Sequence, residues 1–218
     1  IFTPTCELPF AGHPSVGAAW AAVHLELASP SEERLLTQQC AAGLLPVRIT
    51  GSRWFRQVQV RCPQAQQRAD VQAQLPPQLA AIALPGSVPV LWNNGPDWWL
   101  LPVQSEAQLR SYRPELEAIT ALPQSGKLAL FAAADRPDVG YQYVVRAFAP
   151  GAGVNEDPVT GSANALIAAH LQASGQVSAG QHYQVSQGRE CGRNGQLQVQ
   201  LDLDGGIWVG GSVQPVIE

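Results

Sequence analysis

The chain has 218 residues, of which 45% are hydrophobic and 14% are charged, and its formal net charge is −4. A charged fraction well below the usual ~25% predicts a folded protein with a sizeable core and excludes a disordered one. No cluster of Lys or Arg exceeds a pair, so we expect neither nucleic acid nor an acidic membrane as a partner. The apolar runs are shorter than the ~20 residues needed to span a bilayer, so we expect no membrane span.

The four cysteines are Cys6, Cys40, Cys62 and Cys191, and they lie far apart in the sequence. None of them has the spacing of a metal-binding pair. This pattern predicts buried free thiols in a reducing compartment, and therefore a cytoplasmic protein without a metal site.

The first third of the chain predicts a helix and a hairpin. Residues 16–27 are almost all apolar or small, which predicts a buried helix, and Pro14 suits the first helical position. The segments 44–50 and 54–62 alternate in polarity and predict a β-hairpin. The polar, proline-containing segment 62–84 breaks the strand pattern, and we place a boundary between two lobes there.

The remainder predicts strands around a second helix. Asn94-Gly95 between two apolar runs indicates another hairpin, followed by short helical segments within 106–122 and buried strands within 127–150. A helical period from Ala163 to Leu171, with Gly175 beyond it, predicts the second long helix. Alternating residues punctuated by glycine predict a β-meander from residue 182 onwards.

The entrances to the two long helices share a pattern. Residues 7–13 read ELPFAGH and residues 156–162 read EDPVTGS, so both have the form E-x-P-x-x-G-polar at an offset of 149 residues. Because each copy precedes a helix of small apolar residues, we interpret them as an internal repeat of two lobes, each built around one helix.

A helix entrance of this kind can hold a small anion. Helix N-termini present free N–H groups and partial positive charge, and glycine lets a ligand approach the backbone closely. His13, Asp157 and Ser162 would border such a cleft between the lobes. Each also has a simpler interpretation, because serine at a helix start is commonly an N-cap and an Asp before one is favourable with the helix dipole.

The quoted blocks "FTPTCELPFAGHPSVGAA" and "RAFAPGAGVNEDPVTGSANALIAAHL" resemble the two signature blocks of the PhzF family, which is named after a phenazine-biosynthesis isomerase. The segments "NNGP" and "VSQGRECGRNGQLQV" are similar to family segments in the same order. The resemblance implies an α/β (α+β) fold like that of diaminopimelate epimerase, with two pseudo-symmetric lobes, each a mixed β-sheet curled around a central helix. We assign residues 1–66, with the last strand within 207–218 returning to them, to an incomplete N-terminal lobe, and 67–206 to the C-terminal lobe.

The resemblance also implies a site and a chemistry. His13 and Asp157 fall on the family's catalytic positions, and Gly12, Gly161 and Ser162 fall on substrate-binding positions. The enzyme would be a homodimeric isomerase that needs no cofactor and no metal, and that moves a proton on a small carboxylate-bearing, cyclic metabolite.

The family's general-base glutamate lies in a segment before the G-H-P block, which this sequence does not contain. Glu7 matches a different family glutamate. We therefore expect that the sequence begins inside the first lobe, about 50–80 residues after the start of a complete lobe.

Three other functions remain open at the level of sequence. Epimerases of this fold use two cysteines at the two helix entrances, and the corresponding residues here are His13 and Ser162, which disfavours a symmetric two-thiol mechanism. A binding protein that has lost catalysis is a second alternative. A serine hydrolase that uses Ser162 is a third, although the G-x-S-x-G elbow is missing.

Overall fold

A computed structural model describes residues 1–2, 7–52 and 56–214 of the chain. Its helices are α1 (Gly12–His24), α2 (Pro77–Ile82), α3 (Glu106–Ser111), α4 (Leu116–Thr120) and α5 (Gly161–Ala173). Its strands are β1 (Leu35–Cys40), β2 (Gly43–Thr50), β3 (Gln57–Arg61), β4 (Gln66–Gln67), β5 (Val90–Asn93), β6 (Asp97–Pro102), β7 (Leu128–Ala133), β8 (Tyr143–Ala149), β9 (Val154–Asp157), β10 (His182–Gln187), β11 (Gly195–Leu201) and β12 (Ile207–Ser212).

The strands form one continuous sheet. Its order is β1-β2-β3-β12-β11-β10-β8-β7-β6-β5-β4, and β9 pairs with β8. The pairs β6–β7 and β8–β10 are parallel, which makes the sheet mixed, whereas β1, β2 and β3 pair antiparallel. Strand β12 lies between β3 and β11, so the end of the chain joins its early strands to the later ones. The lobe boundary near residue 66 stays a prediction.

The two long helices lie on the same side of this sheet. Helix α1 contacts β3 and β12, α5 contacts β12, β11 and β6, and the two helices also touch each other. Strand β7 shows how the sheet serves two cores, because its residues alternate between faces. Ala129 and Phe131 pack in the core with α1 and α5, while Leu128 and Leu130 pack in a second core beneath the short helices.

Several predicted elements differ from those observed. Helix α1 begins at Gly12, two residues before the predicted first position at Pro14, and it ends at His24 rather than at residue 27, because Glu26 has a positive φ of 59° that breaks the helix. It is also less buried than its composition predicts, since Ala18 is exposed and Val16 only half-buried. Strands β1, β4 and β9 and helix α2 were not predicted, because β4, β9 and α2 have only two to six residues and the sequence of β1, LLTQQC, does not alternate in polarity.

Most of the other secondary-structure predictions agree with the structure. Both hairpins, the short helices, the buried strands, α5 and the meander are confirmed. Of the cysteines, Cys62 is buried and free, whereas Cys40 and Cys191 are free but only partly buried, so burial was wrong for two of them. Cys6 lies outside the described residues.

Candidate active site

The two long helices begin in contact with each other. A Cβ built on Gly12 would lie 2.7 Å from the Cα of Gly161, and one built on Gly161 would lie 2.6 Å from the Cα of Gly12. A real Cβ does not approach a backbone atom this closely, so each entrance needs glycine. The helices are 13 residues long, and both ends of α5 follow those of α1 by 149 residues, the offset of the sequence repeat.

The repeat extends to the hydrogen bonds that shape each entrance. Ser15 Oγ donates to the carbonyl of Ala11 at 2.7 Å, and Asn164 Nδ2 donates to the carbonyl of Thr160 at 2.9 Å. These are equivalent positions in α1 and α5, and both side chains are 1% exposed. Each ties the residue before a helix to its first turn, so the two entrances are rigid and of the same construction.

One cleft of about 250 Å³ borders both entrances. Its lining includes all five residues assigned to the site from the sequence, which are Gly12, His13, Asp157, Gly161 and Ser162. The structure therefore brings together residues that lie about 150 positions apart. A second cavity of about 300 Å³ also touches Gly12, His13 and Gly161, but neither Asp157 nor Ser162 lines it, so we place the candidate site in the first.

Asp157 is the last residue of β9, directly before the turn that leads into α5, and is half-buried. Burial raises the pKa of its carboxyl above the ordinary value, while hydrogen bonds from the Thr160 hydroxyl and the Val159 N–H and the charge of His13 act in the opposite direction. The Thr160 Oγ1 to Asp157 Oδ2 distance is 2.8 Å. A carboxyl with a raised pKa beside an imidazole is a pair that can exchange a proton with a ligand.

Ser162 is held by the hairpin of β5 and β6. Trp98 Nε1 donates to Ser162 Oγ at 3.2 Å, and Asn94 Nδ2 donates to the Ser162 carbonyl at 3.0 Å. Ser162 is the second residue of α5, whose N-cap is Thr160, so the N-cap interpretation of this serine is wrong. Its hydroxyl accepts from an indole, which does not activate it as a nucleophile.

The cleft also contains the chain's single lysine. Lys127 lines the cleft just before β7, and its Nζ lies 5.9 Å from the centre of the Trp98 ring. A cation against an aromatic face and beside two helix N-termini gives this end of the cleft positive potential. Within the described residues, no group of three or more His, Cys, Asp or Glu side chains could hold a metal ion. No helix in the described ranges is long and apolar enough to span a membrane.

Sequence reasoning missed the residues that support the cleft. Gln187, Trp98 and Asn94 are buried and make hydrogen bonds to the turn or to α5. Glu156, the first residue of the second copy of the repeat, forms a bidentate pair with Arg146, with both N–O distances at 2.8 Å. These contacts were not evident from the sequence, because a single buried residue does not indicate which distant residue it will contact.

Two helices that meet over one cleft, within a mixed sheet, are the arrangement of the diaminopimelate-epimerase-like fold. The PhzF-family phenazine biosynthesis protein of Bacillus anthracis has a similar structure, with a TM-score of 0.77 at 21% identity, covering 98% of this chain and 77% of that one. A hydroxyproline epimerase from Agrobacterium vitis has a TM-score of 0.66 at 16% identity, covering 96% of this chain and 65% of that one. At these identities the likeness concerns the fold alone.

Sequence comparison narrows the class. Residues 1–212 match the family model described as "Phenazine biosynthesis-like protein". Trans-2,3-dihydro-3-hydroxyanthranilate isomerase of Pseudomonas aeruginosa is 32% identical over 209 residues, covering 93% of this chain and 69% of that enzyme. "Antisense-enhancing sequence 1" of Schizosaccharomyces pombe is 25% identical over the whole chain, which spans 76% of that protein. The chain belongs to the PhzF family and is an isomerase of the PhzF type.

Proposed function

We propose that the cleft at the Gly12–Gly161 contact is the active site, and that the protein moves a proton on a small, cyclic, carboxylate-bearing metabolite without a cofactor. The observation that carries the proposal is the convergence of two helix N-termini on one cleft that also holds His13 and Asp157. In this proposal Gly12, Gly161 and Ser162 bind the substrate, and His13 and Asp157 act on its proton.

The positive charge in the cleft favours the binding of an anionic substrate. The helix N-termini present N–H groups to a carboxylate, and Lys127 adds a full positive charge within the same lining. Trp98 offers an aromatic wall on which a planar ring can stack. These features together favour a substrate with a carboxylate on a ring or beside one.

The side chains support a one-base reaction over a symmetric two-base racemase. Serine is a poor base, and the Ser162 hydroxyl already accepts from Trp98 at 3.2 Å. His13 and Asp157 are the titratable pair close enough for the charge of one to affect the pKa of the other. Such a pair can hold and return a proton while the N–H groups at the entrances stabilise developing negative charge.

Proton exchange into substrate is the direct test. The full-length protein is incubated in D₂O, with no added cofactor, with a set of small cyclic carboxylates, and deuterium incorporation is followed by NMR. Trans-2,3-dihydro-3-hydroxyanthranilate comes first in the set, because the 32%-identical relative is named for it. We expect incorporation that Asp157→Asn abolishes. Binding of a carboxylate without exchange would instead favour the non-catalytic alternative, and labelling of Ser162 by a phosphonate probe would favour the hydrolase.

The quaternary state and location are further proposals. We infer a homodimer that works in the cytoplasm, on the resemblance to the PhzF family and the free thiols. Light scattering coupled to size-exclusion chromatography measures the mass directly. A monomer at concentrations that support full activity would contradict the dimer.

A further inference from the structure

The side chain of Gln187, at the end of β10, makes four hydrogen bonds, three to the segment from Asp157 to Thr160 and one to Asn164 of α5. This side chain is buried, with 1% exposure. Gln187 Oε1 accepts from the Thr160 backbone N–H at 3.2 Å and from Asn164 Nδ2 at 2.8 Å. Gln187 Nε2 donates to the Asp157 carbonyl at 2.8 Å and to Thr160 Oγ1 at 2.9 Å.

The partners determine which way round the amide lies. A backbone N–H can only donate and a backbone carbonyl can only accept, so the Gln187 oxygen must face Thr160 N and its nitrogen must face the Asp157 carbonyl. Gln187 Nε2 then occupies a lone pair of the Thr160 hydroxyl. The hydroxyl hydrogen is left to point at Asp157 Oδ2, 2.8 Å away.

We propose that Gln187 is a positioning residue that acts through the Thr160 hydroxyl, holding its hydrogen on Asp157 Oδ2 so that Oδ1 is the oxygen that takes up and releases the proton. Among the residues that the structure describes, Asp157 Oδ1 has only a long contact of 3.4 Å, to the Val159 N–H. The catalytic part of this inference rests on the proposed function. The direction of the hydrogen bonds does not depend on the proposed function, and it can be tested without a substrate.

Other charged groups near Asp157 also influence its titration. His13 approaches from α1, and Lys127 borders the same cleft ahead of β7. The preceding residue, Glu156, is paired with Arg146 of β8. These groups are the same in every variant below, so differences between variants report the hydrogen bonds to Asp157.

The experiment measures the titration of Asp157 by NMR of the chain labelled with carboxyl-¹³C aspartate, with the signal assigned by its loss in Asp157→Asn. Thr160→Val removes the hydroxyl at constant shape, and we expect the midpoint to rise by about one pH unit, since a donor to the charged form is lost. Gln187→Met keeps the approximate size of the side chain and adds no charge, but it removes the donor that fixes the Thr160 hydroxyl. The hydroxyl hydrogen is then no longer held on Asp157, so we expect a smaller rise in the same direction.

Two variants serve as controls. Thr160→Ser keeps the hydroxyl, and Gln184→Leu changes a glutamine on the same strand that makes none of these contacts; both should titrate like the wild type. Dispersion of the amide NMR spectrum verifies folding of each variant. An unchanged Asp157 midpoint in folded Gln187→Met would overturn the proposal. A raised midpoint in that variant, together with unimpaired proton exchange in Asp157→Asn, would uphold the hydrogen-bond direction and contradict the proposed function.

Discussion

Gly12 and Gly161 meet backbone to backbone, with no room for a Cβ on either. We expect Gly12→Ala to force the helix entrances apart and to lower the free energy of unfolding by about 1–3 kcal/mol. Gly17→Ala in the same helix is the matched control, because a Cβ there meets nothing within 4 Å. It should be neutral or stabilising by up to about 1 kcal/mol. Urea unfolding measures both, and equal effects would contradict the contact.

The side chains around the cleft should separate into two kinetic classes. In the full-length enzyme, His13→Ala and Asp157→Ala should lower kcat by roughly 10²–10⁴-fold, because they remove proton-transfer groups. Ser162→Ala should mainly raise KM, by roughly ten- to a hundredfold, because it removes a hydrogen bond to the substrate carboxylate. Ser174→Ala, after the other end of α5, is the control. Loss of turnover in Ser162→Ala at saturating substrate, with Asp157→Ala active, would reverse the assignment.

Lys127 should contribute to the binding of an anionic substrate. Lys127→Gln is expected to raise KM roughly tenfold, with a smaller change in kcat, and Lys127→Arg to restore most of the affinity. Because the chain has one lysine, reductive ¹³C-methylation places one side-chain probe in the cleft, apart from the terminal amine. Its signal should shift on saturation with substrate, and an unmoved signal would place the substrate elsewhere.

The ion pair of Arg146 and Glu156 lies directly before Asp157 and the turn that leads into α5. Arg146 is 3% exposed and also donates to the carbonyls of Leu109 and Tyr112, so it links β8 to the short helices. Arg146→Met should cost about 3–5 kcal/mol, because it leaves Glu156 without its partner. The double variant with Glu156→Gln should recover part of that loss. An additive double-mutant cycle by urea unfolding would show that the pair contributes no coupling.

His170 predicts a pH dependence of stability. Its ring packs edge-on against Trp92 and Phe131, and burial lowers its pKa below the ordinary value of 6.5. The unfolded state therefore takes up a proton at a higher pH than the folded state, so stability present above about pH 6.5 is lost as pH falls through the folded-state pKa. His170→Gln should reduce the difference between the unfolding free energies measured at pH 7.5 and at pH 5.5. Exposed His182→Gln should leave that difference unchanged.

Local pattern was enough to predict much of this protein. The repeat at residues 7–13 and 156–162 predicted two equivalent helix entrances, and their offset of 149 residues recurs in both helix ends. The hairpin at Asn94-Gly95 and the meander after residue 182 are confirmed because turn chemistry and alternation act over a few residues. The sequence also indicated the five candidate site residues, which line one cleft, because a helix start that contains glycine has a recognisable local pattern.

Only the tertiary structure decided what lies beside those residues. Gln187, Trp98 and Lys127 come from three different strands or strand ends, and nothing in their local sequence marks them as neighbours of α5. The partial burial of α1 and the existence of the short strands β1 and β9 depended in the same way on what packs against them. The residues that indicate a helix or a turn are a few adjacent positions in the sequence. A hydrogen bond across a sheet joins residues whose separation in the sequence depends on how the whole chain folds.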